Sequence, residues 1–192
     1  MNSRILPEMP GYKALKKQNF FRKNYSIVPI RYEDRYLIMQ WRNDQMYHLR
    51  QNVLLTKEQQ DFYFNTVVAS LFEQDQPLQL LFSFLEDNIC IGYGGLVHIN
   101  WIDKNAELSF IMDTKLEKDN FQINWINFIK LIEKVAFKEI KFNKIYTYAY
   151  DIRENLYAVI ESCGFIKEAR LKKHRLHENK FIDVIIHSKI NS

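Results

Sequence analysis

Three strand-like runs stand in a row between residues 78 and 112, and a helical run follows them before the next strand. Few folds accommodate that order. Leu78–Leu85 is apolar and aromatic, and Glu86-Asp87-Asn88 is a polar turn. Ile89–Ile99 is a second strand, and Asp103-Lys104-Asn105 turns the chain again. Ala106–Met112 alternates, with Leu108, Phe110 and Met112 on one face and Glu107, Ser109 and Ile111 on the other. Short polar turns between such runs predict an antiparallel meander. Phe121, Trp125, Phe128, Ile129, Ile132, Val135 and Ala136 then recur at helical spacing, with Asp119 or Asn120 placed to cap. Ile145–Tyr150 is the next strand. A helix between two strands predicts a crossover onto a parallel neighbour, which puts Ala106–Met112 beside Ile145–Tyr150 in a mixed sheet.

The flanks extend the pattern. Ser26–Arg31 reads as a short strand and Glu33–Arg42 as a helix with an acidic first turn. Thr56-Lys57-Glu58-Gln59 fits a capping box and starts a second helix. Asn155–Cys163 is a short helix stopped by Gly164, and Ile166–Leu176 with Phe181–Lys189 closes the chain as a hairpin around His177-Glu178-Asn179. The order is β-α-α-β-β-β-α-β-α-β-β: an α/β fold with a mixed sheet and helices on both faces.

The composition excludes several classes. With 192 residues, 47% hydrophobic, the chain is long enough for one domain with a real core. No apolar run approaches the roughly 18 residues of a membrane span, and the first residues lack a secretory pattern. The two cysteines, Cys90 and Cys163, make neither a disulfide framework nor a four-ligand zinc site, which fits reduced thiols in the cytoplasm. The net charge of +4 is uneven: residues 1–25 carry +5, leaving −1 for the rest. The body is therefore a poor match for nucleic acid. Residues 1–24 read as a basic, solvated N-terminal extension and residues 25–192 as the folded domain. The five histidines, His48, His98, His174, His177 and His187, show no metal spacing.

Three of the five glycines fall in Gly92-Tyr93-Gly94-Gly95, inside a strand and not before a helix. They are no nucleotide fingerprint. They mark a bulge that bends the sheet or, alternatively, a place where Tyr93 faces a cleft beside Glu107.

The element order, together with Trp41-Arg42-Asn43, Ala106–Asp113 (AELSFIMD) and the Cys163–Ile190 stretch with its Gly-Phe turn and Asp183-Val184, resembles the GNAT superfamily of N-acetyltransferases. The nearest branch acetylates ribosomal-protein N-termini, polyamines and nucleotide-linked amino sugars. The resemblance implies that Ala106–Met112 and Ile145–Tyr150 splay apart and that the pantetheine arm of acetyl-CoA lies between them. It makes the backbone of Phe110, Ile111, Met112 and Asp113 the expected contacts, and one of those amides the partner of a developing oxyanion.

An alkyl ammonium has a pKa of roughly 10.4, so a base must remove its proton before attack. The resemblance gives that role to Glu107, the alternative being a surface glutamate. The tyrosine that many members use as general acid is replaced by Ile160. Asn155 is near the position of an asparagine that contacts the cofactor arm, or it caps the helix. The pyrophosphate turn of the family is glycine-rich, whereas Lys115–Trp125 holds no glycine. Asn120, Phe121, Gln122, Ile123 and Asn124 occupy that region. Arg42, Asn43 and Tyr93 are the expected acceptor contacts, with Arg42 suited to a phosphate.

The implied function is a cytoplasmic, metal-free, acetyl-CoA-dependent N-acetyltransferase of a small amine, with an amino-sugar nucleotide as leading acceptor. A protein N-terminus or a polyamine is the alternative acceptor. A non-catalytic binding module with a degenerate coenzyme site is the alternative function. A homodimer is compatible with either.

Overall fold

The computed structural model describes residues 11–191. Eight strands form one sheet in the order β1-β2-β3-β4-β5-β6-β8-β7. In chain order they are β1 (Phe20–Arg22), β2 (Tyr25–Pro29), β3 (Leu80–Glu86), β4 (Ile89–Asn100), β5 (Asn105–Met112), β6 (Lys144–Tyr150), β7 (Ile166–His177) and β8 (Lys180–Ile190). Between β2 and β3 lie α1 (Arg35–Asp44), α2 (Lys57–Tyr63) and α3 (Ala69–Phe72). Helix α4 (Glu117–Glu133) crosses from β5 to β6, and α5 (Glu154–Ser162) leads from β6 to β7. The β5–β6 pair is parallel and all other neighbours are antiparallel. The order read from sequence holds, with one short strand added in front.

Local chemistry explains the boundaries. Thr56 accepts from Gln59 N (3.3 Å) while Gln59 Oε1 accepts from Thr56 N (3.0 Å), so the capping box starts α2. Asp87 and Asn88 sit at φ 47° and 69°, and Glu178 and Asn179 at 46° and 62°, the left-handed pair that a two-residue hairpin turn requires. Gly164 ends the α5 region at φ 88°.

The core lies where α4 packs on the sheet. The rings of Phe110 and Phe128 stack at 4.0 Å, Trp125 meets Phe110 edge-on at 4.9 Å, and Phe84 closes on both. This stack holds α4 against β5, and so sets one wall of the site described below.

Two expectations are corrected. Residues 11–24 are anchored on the body, with their lysines left at the surface. Tyr12 is buried, stacks on Phe72, and exchanges hydrogen bonds with the Leu81 backbone, while β1 pairs with β2. Tyr12, Leu15 and Phe20 anchor this stretch, and the packed body begins by residue 12. Residues 1–10 of the expected extension lie outside the described residues.

The glycines of β4 adjoin a bulge on one side: against β3, Phe84 pairs with Gly92 and Leu85 with Cys90, which leaves Ile91 as the extra residue. Pairing with β5 runs without a break from Gly92 to Val97, and register shifts at Val97/Asn100, where His98 is at φ 48°. The glycines also permit close strand approach: a Cβ on Gly94 would stand 2.1 Å from the Ser109 carbonyl oxygen.

Finally, α4 starts at Glu117, so neither Asp119 nor Asn120 caps it. The Asp113 carboxylate accepts from Lys115 N (3.0 Å) and opens a preceding turn of 3-10 helix.

Candidate active site

Pairing between β5 and β6 is confined to Asn105↔Lys144, Ala106↔Ile145 and Glu107↔Tyr146. Beyond it, β5 stays with β4 as far as Met112, and β6 stays with β8 as far as Tyr150. The two strands therefore diverge past Glu107. Asp113 N donates to Ile91 O (2.8 Å). Antiparallel ladders alternate, so Ile111, Ser109 and Glu107 also turn their peptide groups to β4, whereas Leu108, Phe110 and Met112 turn theirs toward β6; the Leu108 amide still serves the last β5–β6 pair, and Phe110 and Met112 face the gap. The Met112 carbonyl is taken by Gln45 Nε2 (2.8 Å). Of the four expected backbone contacts, Phe110 and Met112 face the gap; Ile111 and Asp113 are committed to β4.

A cleft of about 200 Å³ fills the divergence. Its walls come from both faces of the sheet, as a gap between strands allows. Leu108, Phe110, Thr147 and Ala149 belong to the α4 face, with Trp125 and Leu156 behind them; Glu107, Ser109, Tyr148 and Tyr150 belong to the other face, with Arg42 and Arg50 above. Thr147 Oγ1 is buried there without a hydrogen-bond partner among the described residues. A buried hydroxyl and peptide groups left open toward the gap suit an amide-bearing chain laid between the strands. On this observation the gap fits the pantetheine arm. Trp125 forms part of its wall, and Ile123 is exposed to solvent.

Glu107 is only 8% exposed. Arg50 Nη2 bridges both of its oxygens, at 2.7 and 2.8 Å. The Arg50 guanidinium lies 4.2 Å over the Tyr148 ring, with Nη1 2.8 Å from His98 Nε2. The same His98 atom is 3.8 Å from Glu107.

Arg42 donates from Nη1 to the Tyr93 hydroxyl (2.7 Å) and from Nε to Gln51 (3.0 Å). The Tyr93 oxygen beside it holds the guanidinium charge more firmly. Asn43 is spent on the α1–α2 loop: it donates to Leu55 O (3.0 Å) and accepts from Leu55 N (2.8 Å) and Gln51 (2.9 Å). Arg42 thus lines the cleft, Tyr93 is joined to it through Arg42, and Asn43 braces the loop behind.

A second hollow, about 600 Å³, opens between the starts of α4 and α5. Phe121, Glu117, Lys118, Asn155 and Arg153 line it. Because α4 begins at Glu117, the amides of its first turn have no partner within the helix; that of Glu117 donates to Thr114 O of the preceding 3-10 turn. Phe121 reaches the hollow, but Gln122 points to solvent, and Asn124 is fully buried with both amide atoms unpartnered among the described residues. Asn120 is half-buried on the same first turns. Asn155 is exposed within the first turn of α5, which has no side-chain cap.

Arg153 is the residue common to hollow and cleft, along with Leu156. Its Nη2 meets Glu117 Oε1 at 3.1 Å, its plane covers Phe121 at 5.3 Å, and its Nη1 is 3.1 Å from His48 Nε2. Burial and the adjacent Arg153 charge push His48 down to about 3. Burial raises the Glu117 carboxyl against the opposing pull of Arg153.

Ile160, which the resemblance puts in place of a general-acid tyrosine, is fully buried in the core. Tyr157 donates to Tyr150 O and Asp151, and burial pushes it up to about 12. The reading of the sequence missed Arg50, Thr147 and Tyr148; Arg153 is where a strict count places the cofactor-arm position assigned to Asn155. The Tyr146-Thr147-Tyr148-Ala149-Tyr150 alternation, which puts three tyrosines on the Glu107 face, was available as a signal. Arg50 gave none, because it sits in an irregular loop. Among the described residues no group of three or more His, Cys, Asp or Glu is placed to hold a metal, and no helix is long and apolar enough to cross a membrane.

The model of the acetyltransferase (GNAT) domain matches residues 27–186. A strand pair that opens onto a through-sheet cleft is the architecture of an acyl transfer enzyme, and the chain belongs to the GNAT acetyltransferase family. It is an N-acetyltransferase whose donor is acetyl-CoA. Among solved structures, the spermidine N-acetyltransferase of Vibrio cholerae in complex with CoA and spermine superposes with a TM-score of 0.78 at 17% identity, over 88% of this chain and 97% of that one. A dodecameric structure of the same organism's spermidine N-acetyltransferase gives 0.73 at 17% identity, over 89% and 96%. At such identities the likeness is one of fold.

Proposed function

We propose that the enzyme acetylates the primary amine of a small acceptor that carries negative charge, a nucleotide-linked amino sugar being the leading candidate. The observation that carries this reading is the charge of the cleft: Arg42, Arg50 and Arg153 stand in its walls against the single carboxylate of Glu107. That carboxylate is already covered by Arg50. In this reading the amide-bearing arm of acetyl-CoA lies between β5 and β6, along Leu108, Phe110 and the Thr147 hydroxyl. Its pyrophosphate lies at the first turn of α4, near Arg153, Phe121 and Asn155. Glu107 is the base, and Arg42 faces the acceptor's anion with Tyr93 behind it. The nitrogen forms the amide bond as the carbon–sulfur bond breaks, and coenzyme A leaves as the thiol.

Residues 11–191 then form one acyltransferase unit. The enzyme works in the cytoplasm, where its donor is made and used. The exposed edge strand β7, with Ile166 and Leu176 on its surface, supports pairing with a second copy. Sedimentation tests that assembly.

A polyamine is the second reading, favoured by the spermidine and spermine activity named for the similar structures. A polycation needs carboxylates to meet its ammonium groups. Beyond Glu107, Asp151 and Asp183 are both held by Arg170, and Glu117 is held by Arg153. Initial rates with an amino-sugar nucleotide and with spermidine, at saturating acetyl-CoA, test the choice. Preference for spermidine overturns the first reading.

A further inference from the structure

Glu107 has a difficulty as a base. Its carboxylate is buried on a rigid strand, and one nitrogen of Arg50 occupies both oxygens. An incoming ammonium therefore meets the Arg50 cation at the carboxylate it has to reach.

Arg50 differs from its partner in freedom. It lies in the irregular stretch between the helical turn Met46–His48 and α2, and its side chain is 40% exposed. Its guanidinium rests flat on Tyr148, so it can shift along the ring without losing that contact. The surroundings favour an anion. Arg42 stands on the α1 side, and Arg175 of the terminal hairpin lies 5.7 Å over the Tyr150 ring. His98, beside Arg50, adds a nitrogen at 2.8 Å.

We propose that Arg50 is a specificity-determining residue that takes a phosphate or carboxylate of the acceptor, and that in doing so it uncovers Glu107. One charge-assisted contact is exchanged for another, so an anionic acceptor opens the pair at little net cost, whereas a neutral or cationic amine must break it unrewarded. The base is therefore exposed only when the right acceptor is in place. Glu107 then takes one proton from the ammonium. The nitrogen's electron pair forms the bond to the acetyl carbon, the carbon–sulfur bond breaks, and the sulfur leaves as thiol with the nitrogen's second proton. The proton on Glu107 returns to solvent.

The inference rests on reading the β5–β6 gap as the acetyl-CoA site. Its test uses glucosamine 6-phosphate, glucosamine and spermidine as acceptors, with calorimetric titration of acetyl-CoA in parallel. The wild-type enzyme is expected to favour the phosphorylated sugar over glucosamine by about 10-fold or more in kcat/KM. Arg50→Met, which keeps the stem on Tyr148, is expected to reduce that preference to within about two-fold. It acts through a higher KM for glucosamine 6-phosphate and a higher kcat for glucosamine. Arg50→Lys gives an intermediate preference and serves as the reading if the Met variant fails to fold. Persistence of the preference in both variants overturns the proposal, as does a wild-type preference for spermidine or failure to acetylate either sugar while acetyl-CoA binds. Failure to bind acetyl-CoA strikes the underlying reading of the gap instead.

Discussion

Arg153 holds Glu117 at 3.1 Å across the seam between the cleft in the sheet and the hollow at its mouth. Glu117 belongs to the first turn of α4, where a helix attracts anions. With the pyrophosphate placed there as proposed, Glu117 competes with it for Arg153, and the guanidinium from the β6–α5 turn stands in for the missing glycine amides.

Glu117→Gln is expected to release Arg153 and to tighten acetyl-CoA binding several-fold in calorimetry. Arg153→Ala is expected to weaken it by about 10- to 100-fold, the value of a charge-assisted contact to phosphate. S-acetyl-pantetheine, which has no pyrophosphate, should keep its KM in both variants. Equal losses with both donors would show that Arg153 only braces the fold.

Glu107→Gln should lower kcat by about 100-fold or more while leaving the acetyl-CoA dissociation constant nearly unchanged. The amide keeps the shape of the carboxylate and cannot take the proton. A variant of unaltered kcat would remove Glu107 from the chemistry.

The same sequence that shows the sheet hides most of the site, for physical reasons. Strand alternation in Ala106–Met112 and the apolar stripe of Phe121–Ala136 are local patterns, and both elements lie where the residues predict. The gap follows from them, because a helix crossover makes β5 and β6 neighbours. Glu107 was legible as the acidic position of that central strand. The partners were not. Arg50 and Glu107 are 57 residues apart, and Arg153 and Glu117 are 36 apart. No periodicity ties a loop arginine to a strand carboxylate. The start of α4 was misplaced by a few residues because Asp113 caps a 3-10 turn first, and that shift moved the expected phosphate contacts from the first turn to the second.

Phe128→Ala removes the ring that stacks on Phe110 and meets Phe84. A loss of about 3–5 kcal/mol in unfolding free energy is expected, the cost of a large cavity under an aromatic cluster. Denaturant titration measures it. A loss below about 1 kcal/mol would mean that α4 is not held to β5 by this stack.

His48 gives the fold a sensitivity to acid. Its folded value of about 3 lies below the ordinary 6.5, so the unfolded chain binds the proton more readily. Its contribution to stability is complete above about 6.5 and is lost as pH falls toward 3. Glu117, raised by burial, acts in the opposite sense at the acid end of that window. His48→Gln should therefore flatten the fall in Tm between neutral pH and the lower part of that range. An equally steep fall in the variant would assign the effect to other groups.

The central claim is that the diverging strands β5 and β6 receive the arm of the acetyl donor. Amide hydrogen exchange with and without coenzyme A reads it directly. The amide of Phe110, turned to the gap beyond the last β5–β6 pair, should exchange markedly more slowly when coenzyme A is present, and those of Ile111 and Ser109, already paired with β4, should change little. Binding of coenzyme A that leaves Phe110 unprotected would contradict it.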